Sequence, residues 1–178
     1  GLALEETSQT TERKARCVVL IGPMGVGKTT IGKKLARSLG LPFIDTDAQI
    51  VSVHGAIPQI FETQGESAFR ALETNALFQA LQHDSVVATG GGVVLSAENQ
   101  ALLSPHTVVY LSTDGRHMAN RLVQGKRPLL KNGMSDWRRI YEERRPLYEA
   151  LATFEVDAGG QSLAQCIQEI RGKLGIDD

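Results

Sequence analysis

Residues 22–30, GPMGVGKTT, follow the apolar run CVVLI (17–21) and precede a helical pattern, and this arrangement constrains the fold more than any other stretch. Gly22, Gly27, Lys28 and Thr29 satisfy the G-x-x-x-x-G-K-[ST] spacing. Such a loop needs a strand to deliver it and a helix that starts where it ends. Backbone N–H groups freed by the glycines converge on phosphate oxygens, and the helix adds its positive end. Lys28 then neutralises the β- and γ-phosphates, and the Thr29 hydroxyl binds Mg²⁺. A glycine-rich turn that merely caps a helix has no need of lysine followed by threonine at this point. The motif names a nucleoside triphosphate as ligand and leaves the reaction open.

The remaining pattern suits such a loop. PFID (42–45), VVAT (86–89), TVVYL (107–111) and TFEV (153–156) read as further buried strands, too continuous to be half exposed. Between them Phe69, Leu72, Ala76 and Ala80 repeat with helical spacing, as do Leu163, Ile167, Ile170 and Leu174. Strands alternating with helices predict an α/β sandwich around a parallel sheet, with ligands beyond the carboxyl ends of the strands. At 178 residues the chain is long enough for one domain with its own core. Residues 1–16 are polar and charged and are expected to form a flexible tail, leaving 17–178 as the domain. No apolar run is long enough to span a membrane. A net charge of −1 gives no general pull toward nucleic acid or acidic lipid. Cys17 and Cys166 lie far apart, and with four scattered histidines they offer no zinc framework, which fits a reducing, cytosol-like compartment.

Several short stretches offer substrate groups. A motor-type ATPase would carry an aspartate at the end of the third run, where Ala88-Thr89-Gly90 stands instead, so a small-molecule kinase is favoured. In FIDTDAQI (43–50), Asp45 and Asp47 point the same way if the backbone stays extended, one able to hold metal waters and the other a substrate hydroxyl. Thr46 and Gln49 also have capping-box spacing, which reads Asp47 as a first-turn acid. GESAFRALE (65–73) sets Arg70 and Glu73 three apart on a helix, either an exposed ion pair or an arginine aimed at an anion and steadied by the acid. Gly90, Gly91 and Gly92 let backbone approach a ligand with no Cβ in the way. From Gly115 to Ser135 the chain carries Arg116, Arg121, Lys126, Arg127 and Lys131 and no acid, which suits a lid over ATP. Nucleic-acid binding by these cations would call for interleaved aromatics to stack bases, and there are none.

Together GPMGVGKTT, FIDTD, GESAFRALE, TGGG, KRPLL and ERRPLY, in this order from about residue 17 to 150, resemble the shikimate kinase family and differ from gluconate and adenylate kinases. The resemblance implies the P-loop NTPase fold: a three-layer α/β/α sandwich whose five-stranded parallel sheet has the order 2-3-1-4-5. It also implies a lid at about 115–135 and a substrate-binding region at about 46–82. ATP contacts would come from Gly25, Val26, Gly27, Lys28, Thr29, Thr30, Arg121 and Arg127, with Lys28 and Arg127 touching the transferred phosphate. Shikimate contacts would come from Asp47, Arg70, Gly90, Gly91, Gly92 and Arg144, with Asp47 as catalytic base and Glu73 supporting the arginines. Of the tandem Arg144-Arg145, the fit to E-R-x-P-L-Y selects Arg144. Thr29 and Asp45, the latter through water, would hold Mg²⁺. No residue is assigned in VDAGGQSLAQ (156–165), where the family closes its adenine site.

The activity implied is transfer of the ATP γ-phosphoryl to the shikimate 3-hydroxyl by a cytoplasmic monomer (plastid-located in a plant), with no nucleic-acid or membrane partner. A non-catalytic relative that binds ATP or a partner, a related kinase such as a gluconate kinase, and a nucleic-acid-linked ATPase stand as alternatives.

Overall fold

The computed structural model describes residues 15–119 and 132–176. Five parallel strands, β1 (Cys17–Ile21), β2 (Phe43–Asp45), β3 (Ser85–Ala88), β4 (Thr107–Ser112) and β5 (Phe154–Asp157), form one sheet of order β2-β3-β1-β4-β5. That is the expected order, with each strand within a residue or so of its predicted run. The helices among the described residues are α1 (Lys28–Leu39), α2 (Thr46–His54), α3 (Ile57–Ala80), α4 (Ala97–Leu103), α5 (Met134–Leu151) and α6 (Leu163–Lys173).

Side chains alternate along β1 and so supply two cores. Cys17, Val19 and Ile21 join Val87, Val108 and Tyr110 against Leu77 of α3, Leu103 of α4 and Trp137, Tyr141 and Tyr148 of α5. Val18 and Leu20 join Val86, Val109, Leu111 and Val156 against Ile31 and Leu35 of α1 and Ile167 and Ile170 of α6. With both faces covered, the central strands read as continuous apolar runs, which is why they were legible.

A third, smaller cluster of Ile50, Ile60 and Phe69 joins α2 to α3 apart from these cores. Within α3 the backbone turns sharply at Gly65 (φ 87°, ψ 168°), a conformation a side chain would oppose. The kink separates the amino-terminal turns from the segment that carries Phe69, Arg70 and Glu73.

Candidate active site

The phosphate loop leaves β1 at the carboxyl edge of the sheet. A Cβ on Gly22, whose φ is 146°, would stand 2.5 Å from the Leu111 carbonyl oxygen of neighbouring β4, so the loop can leave here only as glycine. Helix α1 then begins at Lys28, with Gly27 at its N-cap, no side-chain cap and no acid in its first turn. Its leading N–H groups and positive end are thereby kept for an anion. Lys28 is buried, and its Nζ donates to the carbonyls of Gly22 (2.6 Å) and Pro23 (2.9 Å), which folds the ammonium into the loop.

The aspartates are arranged otherwise than an extended backbone predicts. Asp45, not Thr46, caps α2: its Oδ1 accepts the Ala48 N–H at 3.1 Å, while its Oδ2 accepts the Thr29 hydroxyl at 2.8 Å. Thr46 already lies in the helix, fully buried, and donates to the Ala88 carbonyl at 3.4 Å, so its hydroxyl is tied to β3 rather than to its own helix. Because the helix starts one residue early, Asp47 follows a helical step. The two acids part: Asp45 toward the phosphate loop, Asp47 toward Gly90 and Glu73. Hard oxygen donors from Thr29 and Asp45, with few protein ligands in all, fit Mg²⁺, which keeps waters and takes substrate phosphates.

Arg70 and Glu73 are not an exposed pair. Glu73 is 1% exposed, with its oxygens 3.1 and 3.2 Å from Arg70 Nη1. Arg70 also reaches Glu66 at 3.3 Å, while its buried Nε has no hydrogen-bond partner among the described residues. Burial pushes the Glu73 carboxyl above its ordinary value, with repulsion from Asp47 adding and the Arg70 and Arg144 guanidiniums opposing. Removing one partner of a pair this buried costs on the order of 3 kcal/mol, against a few tenths for an exposed one.

The three glycines make room for the protein's own side chains. A Cβ on Gly90 would lie 3.0 Å from Asp47, one on Gly91 3.3 Å from Arg144, and one on Gly92 would collide with the Arg70 guanidinium. Asp47, Arg70, Glu73, Gly90, Gly91, Gly92 and Arg144 thus converge on one cavity of about 350 Å³, which Met24 of the phosphate loop also lines. Val51, Ile57, Pro58, Phe61 and Phe69 add an apolar lining. Arg144 is buried there, whereas Arg145 lies outside over the Tyr141 ring (5.0 Å to its centre) with Glu142 at 3.2 Å. The tandem is resolved by which face of α5 each residue occupies.

A second cavity, about 390 Å³, is lined by Val26 of the phosphate loop. Thr113, His117 and Met118 line it with Ala158, Gly159, Gly160, Gln161, Ser162 and Gln165. Sequence reasoning assigned nothing in this last segment. A signal was present: Ser162 and Gln165 form a capping box that starts α6, which fixes the loop after β5. Arg121, Lys126, Arg127 and Lys131 lie outside the described residues, as does most of the expected lid. Arg116 is exposed and paired with Asp114 at 3.5 Å, and Asp114 accepts the Arg116 N–H, which closes a local turn. Among the described residues no helix is long and apolar enough to cross a membrane.

A phosphate loop after β1, the sheet order 2-3-1-4-5 and an arginine-lined cavity beside the loop define a P-loop phosphotransferase for small molecules. The family described as shikimate kinase matches residues 24–174, and the chain belongs to that family. It is 46% identical to the shikimate kinase of Streptomyces coelicolor, over 86% of this chain and 92% of that one. To the Streptomyces avermitilis shikimate kinase it is 42% identical, over 90% and 96%. Among solved structures, shikimate kinase from Acinetobacter baumannii in complex with shikimate is 36% identical and superposes with a TM-score of 0.84, covering 94% of this chain and 97% of that one. A gluconokinase from Sinorhizobium meliloti, 20% identical with a TM-score of 0.62, shares the fold alone.

Proposed function

We propose that this chain is an ATP-dependent shikimate kinase, transferring the γ-phosphoryl of ATP to the 3-hydroxyl of shikimate to give shikimate 3-phosphate and ADP. The observation that carries this reading is the meeting of Asp47, Arg70, Gly90–Gly92 and Arg144 in one cavity against the phosphate loop. Shikimate is a small ring with one carboxylate and three hydroxyls, and the cavity matches that chemistry. Arg70 and Arg144 hold the carboxylate through charge-assisted hydrogen bonds. The apolar wall of Ile57, Phe61 and Phe69 covers the ring carbons. Asp47 and the glycine backbone take the hydroxyls.

Phosphoryl transfer asks the protein for alignment and charge stabilisation more than for covalent chemistry. Asp47 orients the attacking hydroxyl and accepts its proton. Lys28 leaves the Gly22 and Pro23 carbonyls and follows the charge that develops on the transferring group, with Arg127 of the lid joining it. The amides of Gly25, Val26 and Gly27, with those opening α1 at Lys28, Thr29 and Thr30, bind phosphate oxygens. Thr29 and Asp45 would hold Mg²⁺, Asp45 through water; when bound, the ion neutralises the β- and γ-phosphate oxygens. The nucleotide base is assigned to the cavity lined by Val26 and the Gly159–Gln165 segment; Arg121, which the family resemblance sets near the base, lies outside the described residues.

Two buried, unpaired thiols and a demand for ATP suit the cytoplasm. The direct test is ADP release on adding shikimate, with gluconate and AMP as controls. The expected result is ADP with shikimate alone. ADP formation indifferent to shikimate would remove the reading.

A further inference from the structure

Helix α5 turns one stripe inward: Trp137, Tyr141, Arg144 and Tyr148, all buried and spaced as neighbours on a helical face. The stripe reaches both halves of the site. Trp137 Nε1 donates to the Met24 carbonyl of the phosphate loop at 2.9 Å. Tyr141 shares a hydroxyl–hydroxyl bond with Tyr110. The Tyr148 hydroxyl donates to the Gly91 carbonyl at 2.6 Å, and the Arg144 guanidinium stands against the same glycine, 3.3 Å from where its Cβ would be.

Three consecutive glycines have no side chains with which to fix their own peptides, and their conformational freedom is the largest of any residue. Two bonds, Val93 N–H to the Gly90 carbonyl at 3.2 Å and Leu95 N–H to the Gly92 carbonyl at 3.1 Å, close the turn after them and leave the Gly91 carbonyl to Tyr148. The Gly91–Gly92 peptide is trans and planar, so whatever holds the Gly91 carbonyl also turns the Gly92 N–H the opposite way. Among the described residues neither the Gly91 nor the Gly92 N–H enters a backbone hydrogen bond, and both glycines line the cavity. Burial pushes the Tyr148 phenol well above its ordinary value despite Arg144, so it remains a donor throughout the working pH range.

We propose that Tyr148 is a positioning residue of the phosphorylation: its hydroxyl locks the Gly91–Gly92 peptide to the helix face that carries Arg144, so that the substrate meets backbone donors and guanidinium in one fixed geometry. This rests on the shikimate kinase reading. Tyr148 sits one turn beyond Arg144 on the same helix face, so a single rigid element sets the anion-binding arginine and the loop opposite it. The role belongs to the substrate half, and a merely structural tyrosine would affect both halves alike.

The test is Tyr148→Phe, with initial rates measured against both substrates and Tyr141→Phe as comparison for the loss of a buried hydroxyl bonded elsewhere. The KM for shikimate should rise roughly tenfold in Y148F while the KM for ATP stays within about twofold, and Y141F should lower Tm without that split. A shikimate KM within about twofold of wild type, or an equal rise for both substrates, overturns the inference. A measurement on the wild-type protein covers failure of Y148F to fold: amide exchange at Gly91 and Gly92, followed by NMR, should slow at least roughly tenfold on adding shikimate alone, and unchanged exchange overturns the inference. Wild type without shikimate-dependent ADP release would overturn the functional reading as well, whereas an active wild type with an unaltered Y148F overturns this inference alone.

Discussion

The phosphate loop and the pocket beside it solve neighbouring problems by opposite means. The loop is one stretch, residues 22–30, which offers backbone amides, one lysine and the Thr29 hydroxyl. The pocket takes Asp47 from α2, Arg70 and Glu73 from α3, three glycines from the turn after β3, and Arg144 from α5. A phosphate chain is common to many substrates and can be held by local geometry. Choosing one hydroxy acid needs charges placed at fixed separations, which only the packed fold supplies. The two halves should therefore fail differently.

The largest difference is expected from Asp47→Asn, which keeps the shape of the pocket and removes the proposed proton acceptor. Turnover should fall about 10³-fold while ATP affinity stays within about threefold of wild type, as steady-state rates and nucleotide titration would register. Near-normal turnover would take Asp47 out of the base role. Next comes Arg144→Ala, which should raise the KM for shikimate roughly 10²-fold and leave the KM for ATP nearly unchanged, while Arg145→Ala on the exposed face should do neither. Equal effects from the two arginines would erase the distinction drawn from helix face.

Gly92→Ala sharpens the comparison without touching a charge. Its methyl group collides with the Arg70 guanidinium, so kcat/KM for shikimate should drop about tenfold, with the ATP side spared. The smallest effect concerns pH. The Glu73 carboxyl binds a proton more readily in the fold than in the unfolded chain. Its contribution to stability is complete below the ordinary glutamate value of about 4.3 and is lost as pH rises through the higher folded value. Glu73→Gln cannot titrate, so the Tm of wild type minus that of the variant should shrink between about pH 4 and pH 7. A difference that grows with pH would reverse the sign of the shift.

The same contrast decides what the sequence discloses. The strands and the loop were legible because both signals are local: a sheet buried on both faces leaves continuous apolar runs, and the phosphate loop has fixed spacing. The pocket became legible only through resemblance to a family, since no periodicity says that residues 47, 70, 91 and 144 meet. Local reading misplaced the cap of α2, because Asp45 and Thr46 can both accept an N–H and the choice is made by Thr46 turning to Ala88 of β3. It also allowed the Arg70–Glu73 pair to be exposed, since burial of Glu73 depends on what packs over α3. The glycine run was read as room for a ligand; it lines the cavity and also leaves space for Asp47, Arg144 and Arg70 against it, which no local pattern discloses. The segment after β5 carried only its capping box, a signal for a helix start and not for a ligand.

The independence of the two halves is tested most directly by calorimetric titration of wild type and of the Arg70→Ala/Arg144→Ala double variant, with ADP and with shikimate separately. ADP affinity should agree between the two proteins within about threefold, while shikimate affinity in the variant falls by at least about 10²-fold. Loss of ADP binding to the same extent as shikimate binding, in a variant that melts like wild type, would contradict a pocket built separately from the loop it serves.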